Sequence, residues 1–263
     1  MPRGEHLPAI TIVTPCLNAA GTLPEALESV RSQGYPRLEH VIVDGGSTDG
    51  TVELLERAEG VTYVSEPDRG LSDAVNKGIA RATGEVVGWL NADDRYEPGA
   101  LLAVGDALAA SPQSEWLTGA CRIVDAGGRE IRRAVTAYKN LFLRRYSYSL
   151  HLVQNFVSAP ATFARLDTLR EVGPADERYR YAMDYDLWLR LARRGPPLVL
   201  DRYLAAFRMA EGTLSMSGFE RQFEEHREIS RRNGEGHRAA VAVNALASRL
   251  IVLTYRALRR ARS

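Results

Sequence analysis

Cysteine is nearly missing from this 263-residue chain. Only Cys16 and Cys121 occur, too few for a disulfide framework, and no C-x-x-C spacing offers a structural zinc site. Two reduced, buried thiols are expected. An excess of one charge is missing as well: Lys plus Arg number 34 and Asp plus Glu 33, for a formal net charge of +1. That balance argues against a general nucleic-acid binder. Neither G-x-G-x-x-G nor G-x-x-x-x-G-K-[ST] occurs, which disfavours dinucleotide and P-loop sites. No Ser-His-Asp or Cys-His constellation, internal repeat or low-complexity tract is recognisable. Long apolar runs are lacking too. Met1 to Pro8 has no signal-peptide core. The most apolar stretch, 239–258, is interrupted by Asn244, Arg249 and Arg256, whereas a spanning helix needs about 20 largely apolar residues. A cytoplasmic protein is expected, at most peripheral at the inner face of a membrane.

What is present is an average composition, 45% hydrophobic, enough for one large core. The first hundred residues alternate strand and helix signals. Ala9 to Thr14 is β-rich and stops at Pro15. A helix follows, with Thr22 and Glu25 spaced as a capping box and Gly34 closing it. His40 to Val43 forms a second strand ending at Asp44, and the turn Gly45–Gly50 feeds a helix through Val52, Leu54, Leu55 and Ala58. Val61 to Val64 is a third strand, followed by Asp68. Ser72 is placed to cap a helix reaching Gly84, and Glu85 to Leu90 is a fourth strand. This alternation predicts a parallel sheet with right-handed crossovers.

Beyond Pro98 the pattern changes. A helix is expected at Gly99–Ala110, a strand at Trp116–Val124, a turn at 125–128, a strand at Ala161–Phe163 and a helix at Met183–Arg193. From Gly218 the chain reads as helical, with a break around Asn233 to Gly236.

In an open parallel sheet, ligands bind at the carboxyl ends of the strands. Pro15 to Asn18, Asp44, Asp68-Arg69 and Asn91-Ala92-Asp93-Asp94 all follow strands, so the acidic clusters fall on one edge. Two carboxylates behind the apolar strand at 85–90 suit a hard divalent cation, Mg²⁺ or Mn²⁺, which would in turn bind a diphosphate. Asp44 is suited to accept hydrogen bonds from a base or ribose. Asn76 and Lys77 lie on the helix that follows, on either a phosphate-facing or an ordinary exposed face.

Taken together, Thr14-Pro15-Cys16-Leu17-Asn18, Val43-Asp44-Gly45-Gly46-Ser47-Thr48-Asp49-Gly50-Thr51, Asp68-Arg69-Gly70, Asn76-Lys77-Gly78, Ala82-Thr83-Gly84-Glu85 and Asn91-Ala92-Asp93-Asp94 resemble the large inverting glycosyltransferase family (family 2-like) with the GT-A fold. The likeness is dense over residues 9 to about 100 and thinner to about 215. It implies a Rossmann-like, three-layer α/β fold of the nucleotide-diphospho-sugar transferases, with a mostly parallel central sheet and a helical C-terminal tail. It implies a single catalytic domain over 1–217, divided into a nucleotide-sugar-binding half (1–110) and an acceptor half (111–217), with a helical extension over 218–263.

By the same resemblance, Pro15 and Asn18 form the first nucleotide loop. Asp44 recognises the base, usually uracil, although Gly45 stands where many members carry a second Asp. Asp68, Arg69, Asn76, Asn91 and Asp93 face the donor, and Asp93 and Asp94 supply the metal motif, either of them as the main ligand. Met209 and Ala210 follow Arg208 where many relatives carry a His, which leaves a third protein ligand in doubt.

Tyr181 to Leu191 resembles the segment that carries the family's acidic base. At 100° per residue Asp184 shares a face with Leu187, Trp188 and Leu191. Asp186 falls on the other side, four residues before Arg190, as in a helix ion pair. Asp184 is therefore the expected base, and the absence of a nucleophile constellation agrees with a single displacement. His151 and Asp186 are acceptor-side candidates, near Gln154, Asn155 and Ser158. The tail's Arg249, Arg256, Arg259, Arg260 and Arg262 among apolar residues fit either a membrane-surface helix or a solvated face packed on the domain or a partner chain.

The expected activity is transfer of a sugar from a nucleotide-diphosphate sugar, a UDP-sugar by the resemblance, to a sugar, glycolipid or other hydroxyl acceptor in polysaccharide, glycolipid or cell-envelope glycan synthesis. A non-catalytic nucleotide-sugar-binding protein is the alternative. A sugar nucleotidyltransferase fits less well, because 14–21 has one Gly and no Lys or Arg. Monomer and dimer are both open.

Overall fold

The computed structural model describes residues 6–209 and 218–260; Ala210, Arg262 and the side chains of Arg259 and Arg260 lie outside the described residues. The first half builds as its periodicity predicts: β1 (Ile10–Cys16), α1 (Leu23–Arg31), β2 (Leu38–Asp44), α2 (Thr51–Arg57), β3 (Thr62–Ser65), α3 (Leu71–Arg81) and β4 (Val86–Trp89). Strands β1, β2, β3 and β4 pair in parallel, in the order β3-β2-β1-β4. Their carboxyl ends thus share one edge.

The chain then adds β5 (Arg95–Tyr96), α4 (Ala100–Ala110), β6 (Trp116–Val124), α5 (Arg133–Arg144), α6 (Tyr148–Val153), β7 (Thr162–Arg165), α7 (Leu166–Val172), α8 (Met183–Ala192) and β8 (Leu198–Arg208). Strand β7 joins β4 antiparallel, and β6, β8 and β5 complete an eight-stranded mixed sheet. The apolar runs at 198–200 and 203–207 are split by Asp201-Arg202, which hides β8 from a sequence reading. Two helices, α9 (Phe219–Asn233) and α10 (Arg238–Arg260), follow the sheet.

Three local expectations are corrected. Thr22 makes no side-chain cap bond, and Glu25 instead reaches Arg95 at 2.8 Å and Arg208. Ser72 is inside α3, which starts after Gly70, and its hydroxyl donates to the Tyr179 carbonyl at 3.2 Å. That helix ends at Arg81, well short of Gly84.

An aromatic stack ties the halves together. The Trp188 ring on α8 lies 4.9 Å from Trp89 of β4 and 6.2 Å from Trp116 of β6. All three rings are buried, so the stack fixes α8, and hence its N-terminal aspartate, against the sheet. On the same face of the sheet, α3 approaches β1 through Gly78, where a Cβ would sit 2.1 Å from Val13 Cγ1. An alanine in a helix interior ordinarily stabilises. Gly78→Ala is expected instead to destabilise by about 1–3 kcal/mol through overpacking, read as a lower urea midpoint at unchanged slope.

Candidate active site

The carboxyl edge of β1–β4 opens into one cleft of about 1700 Å³. That exceeds the ~300–1,000 Å³ of a single small-ligand site, leaving room for two substrates. One wall comes from Pro15, Asn18, Asp68, Arg69, Asn91 and Asp93, the other from Lys139, Asn155, Ser158, Met183 and Asp184. Phe219, Gln222 and His226 of α9 and Leu250, Ile251 and Tyr255 of α10 close one end.

On the first wall, Asn18 takes a left-handed backbone, φ +50°, and its Oδ1 accepts the Thr48 N–H at 2.9 Å. Loop one is thereby tied to the loop after β2. Asp44 is fully buried beneath that loop and does not line the cleft. Its carboxylate accepts the backbone N–H groups of Gly46 (3.1 Å) and Ser47 (3.0 Å) and the hydroxyls of Ser65 (2.6 Å) and Ser47. Burial opposes its ionised form, but these donors outweigh that and hold its pKa below the usual range. In this structure Asp44 builds the loop from which the expected contact with the base would come. Gly45 has its own reason: a Cβ there would meet Asp68 Oδ2 at 2.4 Å. The carboxylate that faces the cleft at this point is that of Asp68.

The acidic pair behind β4 is divided. Asp93 is half-buried and faces the cleft, whereas Asp94 is 2% exposed and lies behind it. Asp94 accepts the Arg208 backbone N–H at 2.8 Å and an Asn91 side-chain N–H at 3.2 Å. Arg208, 7% exposed at the end of β8, also donates from Nε to the Asp93 carbonyl at 2.9 Å, and to the Ala126 carbonyl and Glu25. Burial raises both aspartates, and the charge of Asp93 raises Asp94 further. A pair destabilised in that way is relieved by a cation.

The donor set fits a hard one: the Asp93 carboxylate and Asn91 Oδ1, a buried oxygen without a partner, both at the cleft. No cluster of three acidic, His or Cys ligands occurs among the described residues, so diphosphate and water would complete the shell. Held by these bonds and set back from the cleft lining, Asp94 anchors the motif and leaves Asp93 as the carboxylate facing the cleft.

On the second wall, Asp184 stands in the first turn of α8. Its Oδ1 accepts the Tyr185 N–H at 2.7 Å and its Oδ2 an Asn155 N–H at 3.3 Å. Burial raises its pKa, while these two donors and the Lys139 ammonium act the other way. Lys139 donates to the Ser158 hydroxyl at 2.9 Å. The turn before α8 is held from the tail: Glu225 of α9 accepts the N–H groups of Arg180, Tyr181 and Ala182 at 3.0, 2.8 and 2.9 Å. His226 is 7% exposed, its Nε2 has no partner, and burial lowers its pKa to about 4. Lys139, Glu225 and His226 were missed in the sequence because no motif marks them and their contacts cross long stretches of chain.

Three further expectations are corrected. His151 is fully buried, its Nδ1 within 3.1 Å of the Tyr146 hydroxyl and its ring against Phe156 and Tyr185; burial lowers its pKa to about 3. Asp186 does pair with Arg190, at 2.8 Å, yet it is 2% exposed and also accepts from Asn233 at 3.2 Å. Neither lines the cleft. Asn76 exchanges two hydrogen bonds with the Ala175 backbone, at 2.9 and 2.8 Å, and clamps that loop. Arg69, by contrast, reaches the cleft while pairing with Asp73 and Glu177.

Arg208→Met would leave the Asp93 and Ala126 carbonyls and the Glu25 carboxylate without the guanidinium, while the backbone bond to Asp94 stays. It is expected to destabilise by about 2 kcal/mol or more, read as a lower melting temperature in a thermal-shift series.

The chain matches the model of glycosyl transferase family 2 over residues 11–165. An uncharacterized glycosyltransferase of Mycobacterium tuberculosis is 32% identical over 206 residues, 76% of this chain and 75% of that one. A PGL/p-HBAD biosynthesis glycosyltransferase of Mycobacterium bovis is 30% identical over 203 residues, 75% and 74% of the two chains. Among solved structures, the Pyrobaculum calidifontis mannosyltransferase PcManGT, in complex with GDP-Man and Mn²⁺, superposes with a TM-score of 0.67 at 20% identity, over 98% of this chain and 82% of that one. Residues 1–349 of Staphylococcus aureus TarS, in complex with UDP-GlcNAc, give 0.63 at 20% identity over 84% of this chain and only 65% of theirs. The motifs at the sheet edge, the curled mixed sheet and these likenesses agree: the chain belongs to glycosyl transferase family 2 and has the GT-A fold.

Proposed function

We propose that this glycosyltransferase moves a sugar from a UDP-sugar to an acceptor hydroxyl with inversion, in one metal-assisted displacement. The observation that carries the reading is the cleft itself, with Asp93 on one wall and Asp184 on the other. A nucleotide-sugar donor is supported by the complexes of the two structural neighbours, one with UDP-GlcNAc and one with GDP-Man and Mn²⁺. Pro15, Asn18, Asp68 and Arg69 would line the nucleotide. Asp93, with Asn91, would hold Mn²⁺ or Mg²⁺. When bound, that ion offsets the charge of the diphosphate as it departs.

Asp184 would act on the other face of the sugar. Its carboxylate takes the proton of the incoming hydroxyl, whose oxygen bonds to the anomeric carbon as the bond to the diphosphate breaks. Burial makes it a stronger base than an exposed aspartate, and Asn155 and the Tyr185 N–H fix its orientation. The Lys139 ammonium opposes that rise. The arrangement needs no covalent intermediate.

Asp184→Asn should lower turnover by about 10²–10⁴-fold with donor affinity retained. Asp93→Ala should instead weaken Mn²⁺-dependent UDP binding about tenfold or more, read by calorimetry. The wild-type acid limb follows from the direction of the Asp184 shift. The base works only when deprotonated, so kcat/KM falls as pH drops through a value above the ~3.9 of an exposed aspartate. Unchanged turnover in Asp184→Asn would remove that residue from the reaction.

A further inference from the structure

Helix α10 is turned inside out. Its buried face carries Ala240, Asn244 and Ser248, with Asn244 Nδ2 donating to the Val153 carbonyl of α6 at 2.9 Å. Its apolar side chains point away from the protein: Val243, Leu246, Leu250 and Leu253 are 50%, 61%, 55% and 59% exposed. Their spacing of three, four and three residues aligns them in one stripe. Exposed Arg238, Arg249 and Arg256 flank the stripe on one side, Arg256 also pairing with Glu220 of α9. From Gly236 to Ser263 the sequence holds six arginines and no acidic residue. Leu250 belongs to both the stripe and the cleft rim, beside Ile251, Tyr255 and Phe219. The stripe therefore meets the cleft at Leu250.

We propose that α10 lies flat on an anionic lipid bilayer, so that the cleft opens at the membrane plane toward a lipid-borne hydroxyl acceptor. The acceptor part rests on the transferase reading above; bilayer binding does not. An apolar stripe bordered by arginines is the pattern of an interfacial helix. By length and composition α10 could also span a membrane, but its inner face is fixed to α6 and α9 and Arg249 stands at its middle. Two copies meeting stripe to stripe would bring arginines together with no acidic group on either helix to offset them. An anionic surface supplies the opposite charge.

The test is co-sedimentation of the full chain with vesicles of phosphatidylcholine, alone or with phosphatidylglycerol. Binding is expected to the anionic vesicles, to decline with salt, and to be weak to neutral ones. Leu246→Glu/Leu253→Glu should cut the partition about tenfold or more, with melting temperature and donor hydrolysis as in wild type. Wild type remaining in the supernatant, or vesicle binding unaffected by the double substitution, would overturn the proposal. So would a wild-type dimer in light scattering that ignores vesicles and becomes monomeric in the double variant. Vesicle binding without donor turnover would keep the docking helix and count against the assigned roles of Asp93 and Asp184.

Discussion

Two adjacent carboxylates behind one apolar strand repel each other, and burial raises that cost. The fold answers by giving Asp93 and Asp94 different surroundings. Asp94 is drawn inward onto the backbone N–H of Arg208, at the far end of β8. Asp93 is left at the cleft, with the Arg208 guanidinium holding its carbonyl from behind. The rim of the first half of the sheet thus depends on a residue more than a hundred positions later. The arrangement also explains why β8 and the short β5 belong to the same sheet as β1–β4: they carry the bracket that holds the acidic pair.

The second wall is built by a similar long reach. The three stacked tryptophans settle α8 on the sheet, and Glu225 of α9 accepts the three N–H groups of the turn that opens it. Asp184 is therefore placed by the sheet from one side and by the tail from the other. The C-terminal helices are part of the cleft's construction, and His226, Ile251 and Tyr255 give it both a polar and an apolar lining.

Much of the first half could be read directly. Strand and helix periodicities there are local, and the ends of parallel strands must share an edge, so the positions of Pro15, Asn18, Asp68 and Asp93 followed from spacing alone. Most of the misplaced residues have partners far away in sequence. Asp186 was put on the solvent side because a helical wheel assumes one packed face, yet α8 is covered on both sides once α9 lies over it. Asn76 and His151 are polar by type but serve a loop clamp and an aromatic core. Asp44 ends a strand as expected, but its own loop saturates it. The distinction between Asp93 and Asp94 needed β8, whose interrupted pattern gave no signal.

A crystal grown with UDP and Mn²⁺ and measured at the manganese edge tests the central claim most directly. The division of the acidic pair predicts one anomalous peak in direct contact with the Asp93 carboxylate, with Asp94 still bonded to the Arg208 N–H. A peak coordinated by Asp94 and not Asp93, or an ion bound elsewhere in the cleft, would contradict it.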